Sequence, residues 1–157
     1  RGKLDYLRKQ FIHLGLNILG IQEARTPSSH TFVDQVVRLT SGSHGKQLGA
    51  ELWVNTSQPC GRCGKKALYS LYFKREHFQV VHKDPRALLV HAVCPYFDAW
   101  FLVGHAPHSG IDEDIRTAWW SHFTELGVRR PSWDAALCHG RCECSSWRLG
   151  RLGRPAR

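Results

Sequence analysis

Glu23, His105 and His108 are the residues of this chain whose types and positions could do chemistry. The stretch Asn17-Ile18-Leu19-Gly20-Ile21-Gln22-Glu23-Ala24-Arg25 runs apolar and small residues straight into Gln22-Glu23. It reads as a strand that delivers a carboxylate at its exposed carboxyl end. A second strand, Trp100-Phe101-Leu102-Val103-Gly104, ends in the same manner in His105-Ala106-Pro107-His108-Ser109-Gly110. Open α/β sheets bind ligands outside the carboxyl ends of their strands. A carboxylate and an imidazole on neighbouring strand ends would make a metal-assisted hydrolytic site. Taken singly, Glu23 reads as a solvated strand-end acid and each histidine as a surface residue. Their joint placement is what makes a site.

The elements that must position these groups follow from periodicity. Leu4, Leu7, Phe11 and Leu14 recur on one face of a helix over 3–14, with Gly15 at its C-cap. A strand over 17–22 follows. Ser28 and Ser29 are read as caps of a second helix carrying Phe32, Val36 and Leu39 on one side. A turn at 40–45 precedes a strand at 46–55, and 55–66 reads as a loop carrying Cys60 and Cys63. Strands are expected at 67–73, 78–82, 87–93 and 99–104, with Lys83-Asp84-Pro85-Arg86 as a turn. A helix over 112–126 then turns Ile115, Trp119, His122 and Phe123 inward. This order predicts an α/β fold, a mixed sheet with flanking helices.

The 157 residues are one domain's worth of chain and carry a formal charge of +9. That balance suits a polyanionic partner such as DNA. No apolar run approaches the roughly 20 residues that span a bilayer, so no membrane partner is expected, and no secretory signal is present. The absence of methionine reads as processing or as part of a longer reading frame. From Cys138 to Arg157, five arginines face the single acid Glu143 without a periodic apolar pattern, which predicts a disordered basic tail after a domain at 1–137. Oligomeric state is not set by these features.

Four segments, in this order, resemble the endonuclease/exonuclease/phosphatase family, and within it the endonucleases of non-LTR retrotransposons and the apurinic endonucleases. They are Ile21-Gln22-Glu23, Gly49-Ala50-Glu51-Leu52-Trp53-Val54, Arg86-Ala87-Leu88-Leu89-Val90 and Val103-Gly104-His105-Ala106-Pro107-His108-Ser109-Gly110. The Trp119-Trp120 helix looks most like the retrotransposon branch. The resemblance implies part of a two-sheet α/β sandwich, its N-terminal half, and Mg²⁺-dependent (or Mn²⁺-dependent) hydrolysis of DNA phosphodiesters. It makes Glu23 the metal-binding and catalytic glutamate, since Mg²⁺ is held by one or two carboxylates and shares substrate phosphate oxygens. It places His105, as a catalytic residue, beside the scissile phosphate, His108 at a phosphate contact, and Arg25 with Lys65-Lys66 on the DNA backbone. A nuclear, intracellular setting goes with the mobile-element reading.

The family's Gly-Asp-x-Asn strand, its late Asp-His pair and its opening Asn-bearing strand are missing from this sequence. The domain is therefore expected to be a truncated, inactive copy. Half a sandwich would leave an inner sheet face uncovered, at about 25 cal/mol per Å² of apolar area, and would be poorly stable or associate. The competing reading is a zinc or basic nucleic-acid-binding module without catalysis. Cys60 and Cys63 have the Cys-x2-Cys spacing of half a tetrahedral site, with Cys138, His139, Cys142 or Cys144 as the other half.

Read one nucleotide forward, the codons of Gly140-Arg141-Cys142-Glu143-Cys144 permit Gly-Asp-Ala-Asn-Ala, the absent motif near its expected place. A frame slip near Cys138 would explain both the lost strand and the Arg/Cys-rich tail. Sequencing the coding DNA is expected to show Asp and Asn in the shifted frame at positions 141 and 143; any other pair there rejects the slip.

Overall fold

A computed structural model describes residues 2–44, 47–63, 69–94 and 97–128. Helix α1 (Gly2–His13) leads into β1 (Ile18–Gln22), β2 (Thr31–Val33), β3 (Val36–Thr40) and β4 (Ala50–Asn55). Strands β5 (Pro59–Cys63), β6 (Tyr69–Tyr72), β7 (Phe78–Asp84), β8 (Ala87–Cys94) and β9 (Phe97–Gly104) come next, and α2 (Glu113–Val128) closes the described chain. The strands form three sheets, in the orders β1-β4-β3-β2, β5-β6 and β7-β8-β9. The expected α/β class is what forms.

Gly15 ends α1 as the sequence predicts. Its φ of +64° lies in the left-handed region. Its N–H donates to the Ile12 carbonyl at 3.0 Å and the Leu16 N–H to Phe11 at 3.3 Å, the paired bonds of a Schellman cap. Further along the chain, the Asp112 carboxylate accepts the Asp114 N–H at 2.9 Å and caps α2.

The expected helix at 28–39 is instead the hairpin β2–β3. Val33 pairs with Val36, so Asp34 and Gln35 make a two-residue turn with φ of +47° and +66°. Both residues lie where a hairpin's right-handed twist needs positive φ. The turn lacks the glycine that advertises such geometry in a sequence. Arg8 of α1 holds it from outside, with its guanidinium 2.9 Å from the Asp34 carboxylate. This hairpin also corrects the mixed sheet. A parallel pair needs a long crossover, usually a helix, and the chain between β1 and β4 is spent on a hairpin. Every strand pairing among the described residues is antiparallel.

The two larger sheets pack face to face. Val37 and Leu39 of β3 and Ala50, Leu52 and Val54 of β4 meet Leu88, Val90, Ala92 and Cys94 of β8, with Phe73 and Phe78 at the margin. The expected uncovered inner face is thus covered, because β7–β8–β9 fold back as the opposing layer. Burying each large apolar side chain contributes about 1.5–3 kcal/mol. The outer faces are covered by the helices. Phe11 of α1 packs on Val36 and Trp53, its ring edge-on to the indole at 6.0 Å. Leu126 and Phe123 of α2 lie over Ala87, Leu89, Trp100 and Leu102. The result is a four-layer arrangement of helix, sheet, sheet and helix.

Three details differ from the periodicity reading. Leu4 and Leu7 of α1, and Leu14 just past its end, remain substantially exposed, so Phe11 alone anchors that face deeply. On α2, Ile115 is exposed, whereas Trp119 and Phe123 stack and Leu126 is buried. The helix meets the sheet along its C-terminal half. Residues 59–63, read as loop, are strand β5, paired with β6.

Gln35→Gly is expected to stabilise the protein by about 0.5–1 kcal/mol in urea unfolding, since a side chain at left-handed φ is strained. Gln35→Ala keeps a Cβ and should give no gain. Equal stability of the two variants would reject the strain.

Candidate active site

Glu23 and His105 come together at one end of the sandwich, where β1 and β9 approach across the two sheets. They are neighbours between sheets and not within one, as the sequence had suggested. The cause is Gly20. A Cβ there would meet Val103 Cγ2 at 3.2 Å, so the absent side chain lets the two strands close. The Gln22 amide then donates to the Gly104 carbonyl and locks the strand ends to each other.

Past this lock the chain is held by backbone bonds from three other segments. The Ala24 N–H donates to the Gly49 carbonyl at 3.0 Å and the Arg25 N–H to Leu48 at 2.9 Å. The Gly49 N–H donates to Pro85 at 2.8 Å, and the His105 N–H to Arg86 at 2.8 Å. Glu23 and Arg25 sit at φ of +52° and +54°, a conformation costly for residues with side chains. Gly49, at +98°, could not be replaced freely; a Cβ would lie 3.3 Å from the Arg25 nitrogen and from the Gly42 carbonyl. The loop is therefore fixed by its neighbours against its own preference.

The side chains follow from that frame. Glu23 Oε1 lies 3.4 Å from His105 Nε2. Its Oε2 lies 3.4 Å from the Arg25 guanidinium. The carboxylate is half exposed, and His105 is mostly enclosed. His105 Nδ1 is buried without a hydrogen-bond partner among the described residues, which leaves one ring nitrogen uncommitted. A carboxylate flanked by an imidazole and a guanidinium can bind a hard cation or orient a proton donor toward an anion.

The predicted residues divide here. Glu23, Arg25 and His105 are brought together. His108 is used locally, its Nδ1 accepting the Gly110 N–H at 3.1 Å and its carbonyl the Ile111 N–H at 3.1 Å. That turn carries the chain into α2. Lys65, Lys66 and residues 138–157 lie outside the described residues. Cys60 donates to the Leu71 carbonyl at 3.3 Å and packs against the inter-sheet core, and Cys60 and Cys63 both lie in the extended strand β5. Cys94 is buried, with its sulfur 3.2 Å from His77 Nδ1.

The sequence reading missed the support beneath the loop. Glu51 of β4 is 1% exposed. The Arg38 guanidinium donates to it at 2.9 and 2.6 Å, and the Trp53 indole at 2.7 Å. The Thr26 hydroxyl donates to the same carboxylate and so ties the site loop to the sheet. Burial pushes the Glu51 carboxyl up. The bonds from Arg38, Thr26 and Trp53, with the Arg38 charge, more than offset this and hold it below its ordinary value.

As for a divalent metal, the donor set suits Mg²⁺ in part. Glu23 offers one accessible hard carboxylate, and Mg²⁺ commonly takes one or two with the rest from water and phosphate. Two clefts lie elsewhere, one lined by Leu4, Arg8 and Trp53, the other by His30, Arg75 and Phe78. Glu23 and His105 line neither of these. Among the described residues no helix is long and apolar enough to cross a membrane. Comparison with protein-family models, with curated proteins and with solved structures finds no match for this chain.

Glu51 sets a pH dependence. A carboxyl depressed in the folded state adds stability that is present above its unfolded value, near 4.5, and lost as pH falls through the lower folded value. Glu51→Gln should cost about 3–5 kcal/mol at neutral pH by leaving Arg38 unpaired. The gap between wild type and variant, from urea midpoints, should narrow as pH drops below about 4.5. A gap constant down to pH 3 would contradict it.

Proposed function

We propose that this chain is a phosphodiesterase-type domain of the endonuclease/exonuclease/phosphatase family, of mobile-element descent. In this reading it engages DNA phosphates at the Glu23–His105 surface and does not turn over. The observation that carries the reading is the meeting of Glu23 and His105 at the strand ends of two packed sheets. The four-layer arrangement supports it, since the resemblance implies a two-sheet sandwich with outer helices. The formal charge of +9 supports a polyanionic partner.

The roles follow from position. Glu23 is the group that would hold Mg²⁺. When bound, the ion would neutralise charge on a phosphate oxygen. His105, whose Nε2 faces the half-exposed Glu23 carboxylate, would donate a hydrogen bond from that nitrogen to a phosphate oxygen. Arg25 screens the loop's carboxylate and presents a cation to the DNA backbone. Efficient hydrolysis also needs a water-activating base and further carboxylate or amide ligands. The motifs that supply these in the family are missing from the sequence. Glu23 and His105 alone would bind and polarise a phosphate without activating water.

Two measurements on one preparation test this. Duplex DNA binding should strengthen with Mg²⁺, weaken with salt, and lose its Mg²⁺ dependence in Glu23→Ala. Supercoiled plasmid should not be nicked by either protein. Nicking that vanishes in Glu23→Ala and with chelator would overturn the inactivity. Binding indifferent to both Mg²⁺ and Glu23 would overturn the site and leave a basic, non-catalytic binder.

A further inference from the structure

We propose that His82, Asp84 and His122 form a transition-metal site of the zinc type, joining α2 to the β7–β8 hairpin. It uses neither Glu23 nor His105 and stands independently of the function proposed above. One ring nitrogen of each histidine and one carboxylate oxygen of Asp84 all lie within 4.8 Å of one another. His82 Nε2 is 2.8 Å from Asp84 Oδ2, and the His122 ring stands edge-on to His82 with centroids 5.4 Å apart.

A β-bulge builds this cluster. Val80 pairs with Val90 but His82 pairs with Leu89, so Val81 is the extra residue and the strand changes face. Val80 points into the inter-sheet core, whereas His82 and Asp84, two apart, point to the outer face beneath α2. Without the bulge, strand alternation would send both into the apolar core. His122 reaches them from the helix.

The donor geometry fits a small d-block ion. Tetrahedral zinc, at about 2.0–2.1 Å from nitrogen and oxygen ligands, sets them about 3.4 Å apart. The 2.8 Å contact and the 4.8 Å limit bracket that spacing, so small rotations of the His122 side chain complete it. Two imidazoles and one carboxylate favour zinc or a neighbouring transition metal over Mg²⁺ or Ca²⁺, which take oxygen ligands. Asp84 is held for the role. Its Oδ1 accepts the Arg86 N–H at 2.7 Å and the Ala87 N–H at 2.9 Å, leaving Oδ2 directed at the cluster. Three protein ligands leave the fourth position to water.

Titration of the full chain with Zn²⁺ by calorimetry, after chelator treatment, tests the site. Wild type should bind one Zn²⁺ at this site and melt at higher temperature with it. His122→Ala should weaken that binding by more than the ~10-fold that loss of an outer partner causes, and should abolish the rise in Tm. His13→Ala, on α1, should leave both unchanged. Co²⁺ should show d–d bands without thiolate charge transfer in wild type. In His122→Cys, which keeps a ligand, binding should persist and thiolate charge transfer should appear. Undiminished binding in His122→Ala, or thiolate charge transfer in wild type, would overturn the proposal.

Discussion

Strand β4 is the constraint on which the remaining layers depend. All six of its positions are buried, and its two faces look into different chemistry. Ala50, Leu52 and Val54 meet the opposing sheet. On the other face, Trp53 receives Phe11, and the polar Glu51 and Asn55 are enclosed. A strand buried on both sides can carry a charge only if that charge is paired and hydrogen-bonded. Arg38, Trp53 and Thr26 satisfy Glu51, and two of these come from β3 and from the loop after β1. The central strand thereby dictates what its neighbours must be, and the loop carrying Glu23 inherits its position from a buried ion pair.

The site loop shows how a surface group is held without a rigid element of its own. Glu23 and Arg25 occupy left-handed φ, and no local preference keeps them there. Bonds to Leu48 and Gly49, which in turn bind the β7–β8 turn, replace that preference. The same turn fixes His105 through Arg86 and is itself closed by the Asp84 carboxylate. The carboxylate and the imidazole are therefore positioned by one hydrogen-bonded ring of four segments that are distant in sequence. Geometry of this kind is set by the fold as a whole.

What could be read from the sequence follows from how local each determinant is. The cap at Gly15, the Asp84-Pro85 turn and the strands at 78–104 rest on nearest-neighbour chemistry and were legible. The strand-end positions of Glu23 and His105 were legible because each follows an apolar run. The β2–β3 hairpin was hidden, as Asp34-Gln35 carries no glycine and Phe32, Val36 and Leu39 also fit a helical stripe. Its loss as a helix removed the expected crossover and, with it, the mixed sheet. Arg38 and Glu51 are diagonal neighbours across two strands, a contact that depends on register. His82 was opaque for a similar reason, since one extra residue in a strand reverses every side chain beyond it.

The bulge at Val81 has a second consequence, for the solution behaviour of the fold. Among the described residues strand β7 borders its sheet, with backbone donors and acceptors that another chain could template on. A flat, regular border of alternating Gln79, Val80 and Val81 would invite such stacking. The extra residue twists the strand and interrupts the ladder there, so an incoming strand cannot stay in register past it. The irregularity that turns His82 toward α2 thus also guards the border against intermolecular β-sheet growth.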